Sequence, residues 1–467
     1  MDRRKFLSGA AQSAIALPLL ADAAHAATHP SKVKPRKITG ASPMQPGPHA
    51  VHLNVRDFGA TGDGKTMDTL ALQQTLDRCN LLGGGEVLLP AGEYLTGALS
   101  IRSNTTLRLS EGATLQGSPD LKDYTLTQVR WEGKFIKGYL GLISAIDAEN
   151  VTITGTGKIL GNTAIPGRVQ KATGWRHPTL LEFVNCRNLL VETVYTRQNA
   201  MWSTHPIFCS DVTFRNVAIH GGADGIDVDS CRNVLIENCT FETSDDCISL
   251  KSGRGMEGNT IARPCEDVRI VNCSFVDHVW ACIGIGSELS AGVRNVRVEN
   301  CKCLGARTFA IYIKTHVGRG AFIEDIYMDG LEVSNAKLGF LRINLLDSGK
   351  QDENPVPGLA GIPNVRNLQF TNIKVTDMPL LVDAMFIHPA KPLDGLVLRD
   401  ITGTCAKGLE LSNIRHAVLS NIHVTGFSGP LLQTHDVTGT GLQGAVAIEP
   451  AKTVDPLPVP ASPYVLG

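Results

Sequence analysis

The chain has 467 residues, with 44 Lys and Arg against 45 Asp and Glu. It is long enough for one large core, and so nearly neutral that neither nucleic acid nor an anionic membrane is expected as a partner. Only 5% of residues are aromatic while 47 are glycine, and apolar runs recur with few long helical patterns, which favours an all-β chain.

The first 26 residues are predicted to be a targeting segment. Arg3-Arg4-Lys5-Phe6-Leu7 is a twin-arginine pattern ahead of an apolar run over residues 10–20, and Ala24-His25-Ala26 supplies a small-residue cleavage site. The run is shorter than the ~20 residues a membrane span needs. A periplasmic or secreted location follows as the expectation. Residues 27–50 are basic, contain proline and lack periodicity, as a linker does. Residues 68–82 carry helical spacing (Leu70, Leu72, Leu76, Leu81, Leu82), and Gly83-Gly84-Gly85 stops it. This is a short amphipathic helix of the kind that caps the open end of a solenoid. Gly62 to Lys65 lacks P-loop spacing and is expected to be a turn.

From about residue 104 a repeat takes over. A polar residue opens an alternating apolar strand that often ends in asparagine, as in Asn233-Val234-Leu235-Ile236-Glu237-Asn238 and Asn295-Val296-Arg297-Val298-Glu299-Asn300. The tightest period is roughly 21–23 residues, and longer gaps imply loops inserted on one side. A parallel β-helix over residues 51–445 fits best, with coils pairing at about 4.8 Å. Asn216, Asn238, Asn272 and Asn300 share one offset, so their side chains are expected to hydrogen-bond along the axis. Cys239, Cys273 and Cys301 each follow such an asparagine and form a ladder of small buried residues. Cys247 and Cys282 share a column and are a candidate disulfide. No spacing suits zinc. After about residue 444 the pattern fades into a proline-rich tail, residues 446–467.

The centre of the repeat holds four like strands: Gly-Ile-Asp-Val-Asp-Ser from Gly225, Cys-Ile-Ser-Leu-Lys-Ser from Cys247, Cys-Ile-Gly-Ile-Gly-Ser from Cys282 and Ala-Ile-Tyr-Ile-Lys-Thr from Ala310. Alternation turns Ile226, Ile248, Ile283 and Ile311 inward, with Val228, Leu250, Ile285 and Ile313. Asp227, Asp229, Ser249, Lys251, Gly284, Gly286, Tyr312 and Lys314 turn outward. Asp224 lies thirteen residues after Asp211, and Asp246 thirteen after Asn233. Equal offsets in adjacent coils place them one strand spacing apart, with Asp245 adjoining. Three carboxylates so close cannot all ionise freely, and a raised acid beside an ionised base is what glycosidic hydrolysis requires. Strict alternation would turn Asp224 and Asp246 inward, so a bend near Gly225 and Cys247 is required. Lys251 and Lys314 are expected on a basic rim suited to an acidic sugar, and Trp202 and His205, one coil earlier, on a sugar-binding wall.

These residues resemble glycoside hydrolase family 28, the polygalacturonase-like pectinases. The resemblance rests on Asn54 to Ala60 with Gly62-Asp63-Gly64, on Trp202 to Pro206, on Ala223-Asp224-Gly225-Ile226-Asp227-Val228-Asp229-Ser230, on Ser244-Asp245-Asp246-Cys247, and on Ile285-Gly286-Ser287-Glu288. It implies a right-handed parallel β-helix and inverting hydrolysis. Asp245 then matches the general acid, Asp224 and Asp246 the pair that activates water, and Lys314 a lysine that holds a uronate carboxylate. No metal or organic cofactor is implied, and a monomer acting on a poly- or oligosaccharide is expected. Two departures bear on the substrate. Where the family has Gly-His-Gly, this chain has His278-Val279-Trp280-Ala281-Cys282, so Trp280 or Ala281 falls where that histidine would be, and where the family has Arg-Ile-Lys it has Tyr312-Ile313-Lys314. Trp280 also lies thirteen residues after Asp267, which predicts it in the column of Asp224 and Asp246. Trp280 and Tyr312 would make that wall aromatic. The same scaffold cleaving another linkage, such as a rhamnoside, and a silent carbohydrate-binding β-helix stay open as alternatives.

Overall fold

The computed structural model describes residues 37–42, 50–276 and 279–459. The twin-arginine segment lies outside them. Among the described residues no helix is long and apolar enough to cross a membrane.

The polypeptide winds into a right-handed parallel β-helix with three strands to the coil. One coil runs Ser210–Arg215, Ala218–Gly221, Ile226–Asp229, and the next runs Arg232–Glu237, Thr240–Thr243, Ile248–Lys251. Each strand pairs in parallel with its counterpart one coil on. The helix expected at the start is Thr69–Leu81 (α1). Leu72 and Leu76 enter the solenoid core, whereas Leu70 and Leu81 stay exposed.

The repeat owes its regularity to its corners. Asn216, Asn238, Asn272 and Asn300 all have φ between 52° and 55°, and the unit-opening residues Asn188, Asp211, Asn233, Asp267, Asn295, Asp325 and Asn367 have φ between 51° and 58°. Asn and Asp tolerate this left-handed conformation better than other residues with a Cβ, because their short side chains bond locally. The side chains also stack: Asn272 Nδ2 donates to Asn238 Oδ1 (3.2 Å), and Asn295 Nδ2 to Asp267 Oδ1 (2.6 Å). Both turn geometry and axial bonding therefore select the residue.

Inside the coils the aligned apolar rows stack as expected. Ile226, Ile248, Ile283 and Ile311 are in register and fully buried, as are Val228, Leu250, Ile285 and Ile313. Each side chain of this size stabilises by about 1.5–3 kcal/mol when removed from water. The twelve cysteines are buried free thiols. Cys239, Cys273 and Cys301 form the expected ladder, each adjoining the same point of its coil. The candidate Cys247–Cys282 bridge is not formed. Aligned side chains in a parallel ladder point the same way, holding Cβ atoms near the ~4.8 Å strand spacing, longer than the ~3.8 Å of a disulfide.

Two segments pack more closely than a linker and a tail would. Backbone N–H groups of Thr39, Gly40, Ala41 and Ser42 donate to Asn233, Thr213 and Asn188 side chains, so residues 37–42 cross several coils. At the other end, Leu457 O accepts from Gly358 N–H (2.6 Å), and Val454 packs against Val317, Leu346 and Ile362.

Candidate active site

The site is built on one face of the solenoid, by β1 (Thr204–Ile207), β2 (Ile226–Asp229), β3 (Ile248–Lys251), β4 (Ile283–Ile285), β5 (Phe309–Lys314) and β6 (Gly339–Asn344). Register aligns His205, Asp227, Ser249, Gly284, Tyr312 and Arg342 in one outward row. The required bends occur at Gly225 and Cys247. At the second of them Cys247 and Ile248 both enter the core, which resets the alternation and leaves Asp246 on the outer side with Ser249. A Cβ on Gly225 would lie 2.4 Å from the Cys247 carbonyl, so the first bend needs glycine.

The three aspartates come together. Ser249 Oγ lies 3.3 Å from Asp224 Oδ2 and 3.2 Å from Asp246 Oδ2, and its single proton serves one at a time. Asp245 Oδ1 accepts from the Asp246 backbone N–H (3.0 Å). Lys314 Nζ contacts Asp246 Oδ2 at 2.6 Å. Lys251 Nζ contacts Asp227 Oδ1 at 2.5 Å and Asp224 Oδ2 at 3.2 Å. Arg168 Nη2 reaches Asp245 Oδ2 at 2.5 Å from an insertion several coils earlier in the chain. Asp224 and Asp246 are buried, but the Asp245 side chain keeps 30% exposure.

Electrostatics separates the acids. Burial opposes ionisation of Asp224, but Lys251, Arg168 and Lys314 outweigh it and hold that carboxyl below the usual range. Burial and the neighbouring Asp224 push Asp227 well up, despite Lys251, so Asp227 is the harder of that pair to ionise. Burial raises Asp246 to about 6, with Lys314 opposing and the charges of Asp224 and Asp245 adding to the rise. Burial also disfavours the Lys251 charge, yet Asp227, Glu288 and Asp224 keep it protonated.

Several residues differ from their predicted places. Trp202 and His205 do not form a wall open to sugar: both are buried, their rings 5.0 Å apart edge to face, with His205 Nε2 3.7 Å from Asp229 Oδ2. Burial pulls the His205 imidazole down, towards its neutral form. Lys251 is not on a rim either. It sits beneath the carboxylates, its Nζ 3.8 Å from the Trp202 ring centroid. The cause is a roof that the strand pattern does not reveal. A hairpin of Leu126–Trp131 and Lys134–Tyr139 covers the early part of this face. Its Arg130 bonds Asp229 Oδ2 at 2.7 Å, and Arg176 of the neighbouring insertion clamps Glu182.

Tyr312 and Lys314 are part-exposed, and Trp280 is 44% exposed. Trp280 is one residue out of its predicted column. Pairing of Ile248 with Ile283 sets Ala281 beside Asp246, and the Trp280 N–H donates to the Asp245 carbonyl. The coil holds one residue more between its second and third strands than the preceding coil does, so counting from Asp267 misplaces it. The sequence pattern gives neither Arg168 nor Asp227 a role in the site. Nothing in its own segment marks Arg168 from Lys171 or Arg176, whereas Asp227 was visible as an outward residue between two buried ones.

Gly284 makes the room for this arrangement. A Cβ there would stand 2.5 Å from Asp246 Oδ2 and 3.6 Å from Lys314 Cε. Gly284→Ala is therefore expected to rotate the Asp246 carboxylate and lower kcat/KM on the order of 10²-fold, with little change in melting temperature. Initial rates and a thermal melt on the same preparation check this.

A β-helix carrying an acidic cluster of this kind defines the class, and comparison with known proteins agrees: the chain is a glycoside hydrolase. It belongs to glycosyl hydrolases family 28, whose model matches residues 79–382. A probable polygalacturonase of Vitis vinifera is 28% identical over 369 residues, covering 74% of this chain and 73% of that protein. An exo-poly-alpha-D-galacturonosidase of Dickeya chrysanthemi is 28% identical over 53% of this chain and 49% of its own length. Among solved structures, a hyperthermoactive exopolygalacturonase from Thermotoga maritima superposes with a TM-score of 0.74 at 26% identity, covering 83% of this chain and 94% of that one.

Proposed function

We propose that this polygalacturonase-like enzyme hydrolyses galacturonate-containing polysaccharide or oligosaccharide with inversion, after export through the twin-arginine segment. The observation that carries the reading is the shared patch: Asp224 and Asp246 meet at Ser249 Oγ, and Asp245 adjoins them with a more exposed carboxyl. Asp245 protonates the leaving oxygen, since solvent reaches it and can restore its proton. Asp224, held ionised by Lys251 and Arg168, and Asp246 draw the proton from the attacking water. Lys314 steadies Asp246 and presents its ammonium to a uronate carboxylate. Trp280 and Tyr312 stack on the sugar beyond the cleaved bond. Incubation with polygalacturonate, followed by proton NMR of the first-formed reducing end, tests the reading. The α-linked polymer should yield the β anomer first. Retention, or no release from any pectic glycan, would defeat it.

The pH profile gives a second check. Asp246 must be ionised to act as a base, and burial raises it to about 6. Activity as kcat/KM should therefore fall with unit slope below about pH 6. Lys314 opposes that rise, so Lys314→Met should move the acidic limb to higher pH. An unmoved limb would remove Asp246 from the role of base.

A further inference from the structure

Among the described residues three cations touch the acidic cluster, and they are not equivalent. Lys251 is 5% exposed and bonds Asp224 and Asp227, while Lys314 is 13% exposed and bonds Asp246. Both have buried carboxylates as partners, and pulling either away would strand a charge out of water. Arg168 is 38% exposed and its partner Asp245 30%. An ion pair this open is weak and readily exchanged.

The backbone of Arg168 is nevertheless anchored. Its carbonyl accepts from His177 N–H (2.9 Å), and His177 Nδ1 lies 3.0 Å from the Gly167 carbonyl. A guanidinium on a fixed backbone can change partner without the insertion moving. It also offers a planar fork suited to a carboxylate in two-point contact. In the resting pair the guanidinium covers Asp245 Oδ2, so that oxygen is not free to meet a leaving group.

We propose that Arg168 is a specificity-determining residue that couples recognition of an acidic sugar to arming of the enzyme: the substrate's carboxylate takes Arg168 from Asp245. Released, the Asp245 carboxyl is open both to solvent, the source of its proton, and to the leaving oxygen. The arginine remains on the sugar. A neutral sugar cannot perform the exchange and leaves Asp245 paired with Arg168. The charge preference thus resides in the armed state as well as in affinity. The proposal rests on the assignment of Asp245 as acid and of a uronate as substrate.

Titration calorimetry with galacturonate, and with galactose as a neutral control, tests it on wild type, Asp245→Asn, Arg168→Ala and the double variant. Removing the competing carboxylate in Asp245→Asn should tighten galacturonate binding about tenfold, because Arg168 is then already available. Arg168→Ala should weaken it by at least a similar factor, and the double variant should lose the gain. Galactose binding should not change in any of them. In steady state, Arg168→Ala should raise KM for polygalacturonate, and Arg168→Lys should recover only part of the loss.

Unchanged galacturonate affinity in Arg168→Ala overturns the proposal, as does equal weakening of galactose. Either result is distinct from failure of the functional assignment itself. In that case wild type would neither bind galacturonate nor cleave polygalacturonate, and both ideas fall together.

Discussion

Asp245→Asn should reduce kcat on polygalacturonate by about 10² to 10⁴-fold, the usual worth of a positioned general acid. The substitution keeps the shape of the side chain but removes the proton donor. Fold stability should barely respond. Asp245 is the most exposed of the three acids, and its ion pair with Arg168 lies open to solvent. The measurement is a reducing-end assay in the initial-rate regime beside a thermal melt. Full activity in the variant would remove Asp245 from the chemistry. A fall in activity that merely tracks a fall in melting temperature would point to lost structure.

The second large effect belongs to Lys251. Its Nζ holds Asp227 at 2.5 Å and Asp224 at 3.2 Å in a part of the molecule that water does not reach. Lys251→Met leaves those carboxyls without their cation, and breaking a buried pair in this way costs about 3–5 kcal/mol. Asp224 should then hold a proton at pH values where it is now ionised, so activity should fall along with stability. Asp227→Asn is the informative partner. Burial and Asp224 push Asp227 up, so of the two partners of Lys251 it is the one whose charge is less favoured, and Asp227→Asn should lower the melting temperature less than Lys251→Met does. A large loss in Asp227→Asn, or none in Lys251→Met, would show that the charges are arranged otherwise. Denaturant melts of the two variants, with rates taken at one pH, decide the matter.

Much of this site is legible in the sequence because the repeat is periodic. Offsets from Asp211 and Asn233 bring Asp224 and Asp246 together, since two adjacent coils are uninterrupted and both corners use the same left-handed residues. The next coil departs from that period. One further residue before Trp280 breaks the count from Asp267, so Ala281 and not Trp280 stands beside Asp246. Burial is the other blind spot. Alternation says correctly that Lys251 leaves the core, but it cannot say that a hairpin and an insertion from earlier coils cover Lys251 and His205. Arg130 is 99 residues from Asp229, and Arg168 77 residues from Asp245. No local pattern marks either contact.

The paired left-handed corners have a consequence for how such a chain diversifies. Side-chain bonds join successive unit openings whether the intervening coil takes 22, 28 or 42 residues. Each turn of the spiral is thus indexed anew, and extra polypeptide is extruded sideways without displacing the rungs above it. The roof that hides Lys251 and the arm that delivers Arg168 are both such extrusions. A lineage can exchange those appendages, and with them the saccharide it accepts, while the reacting groups keep their spacing to within a strand's width.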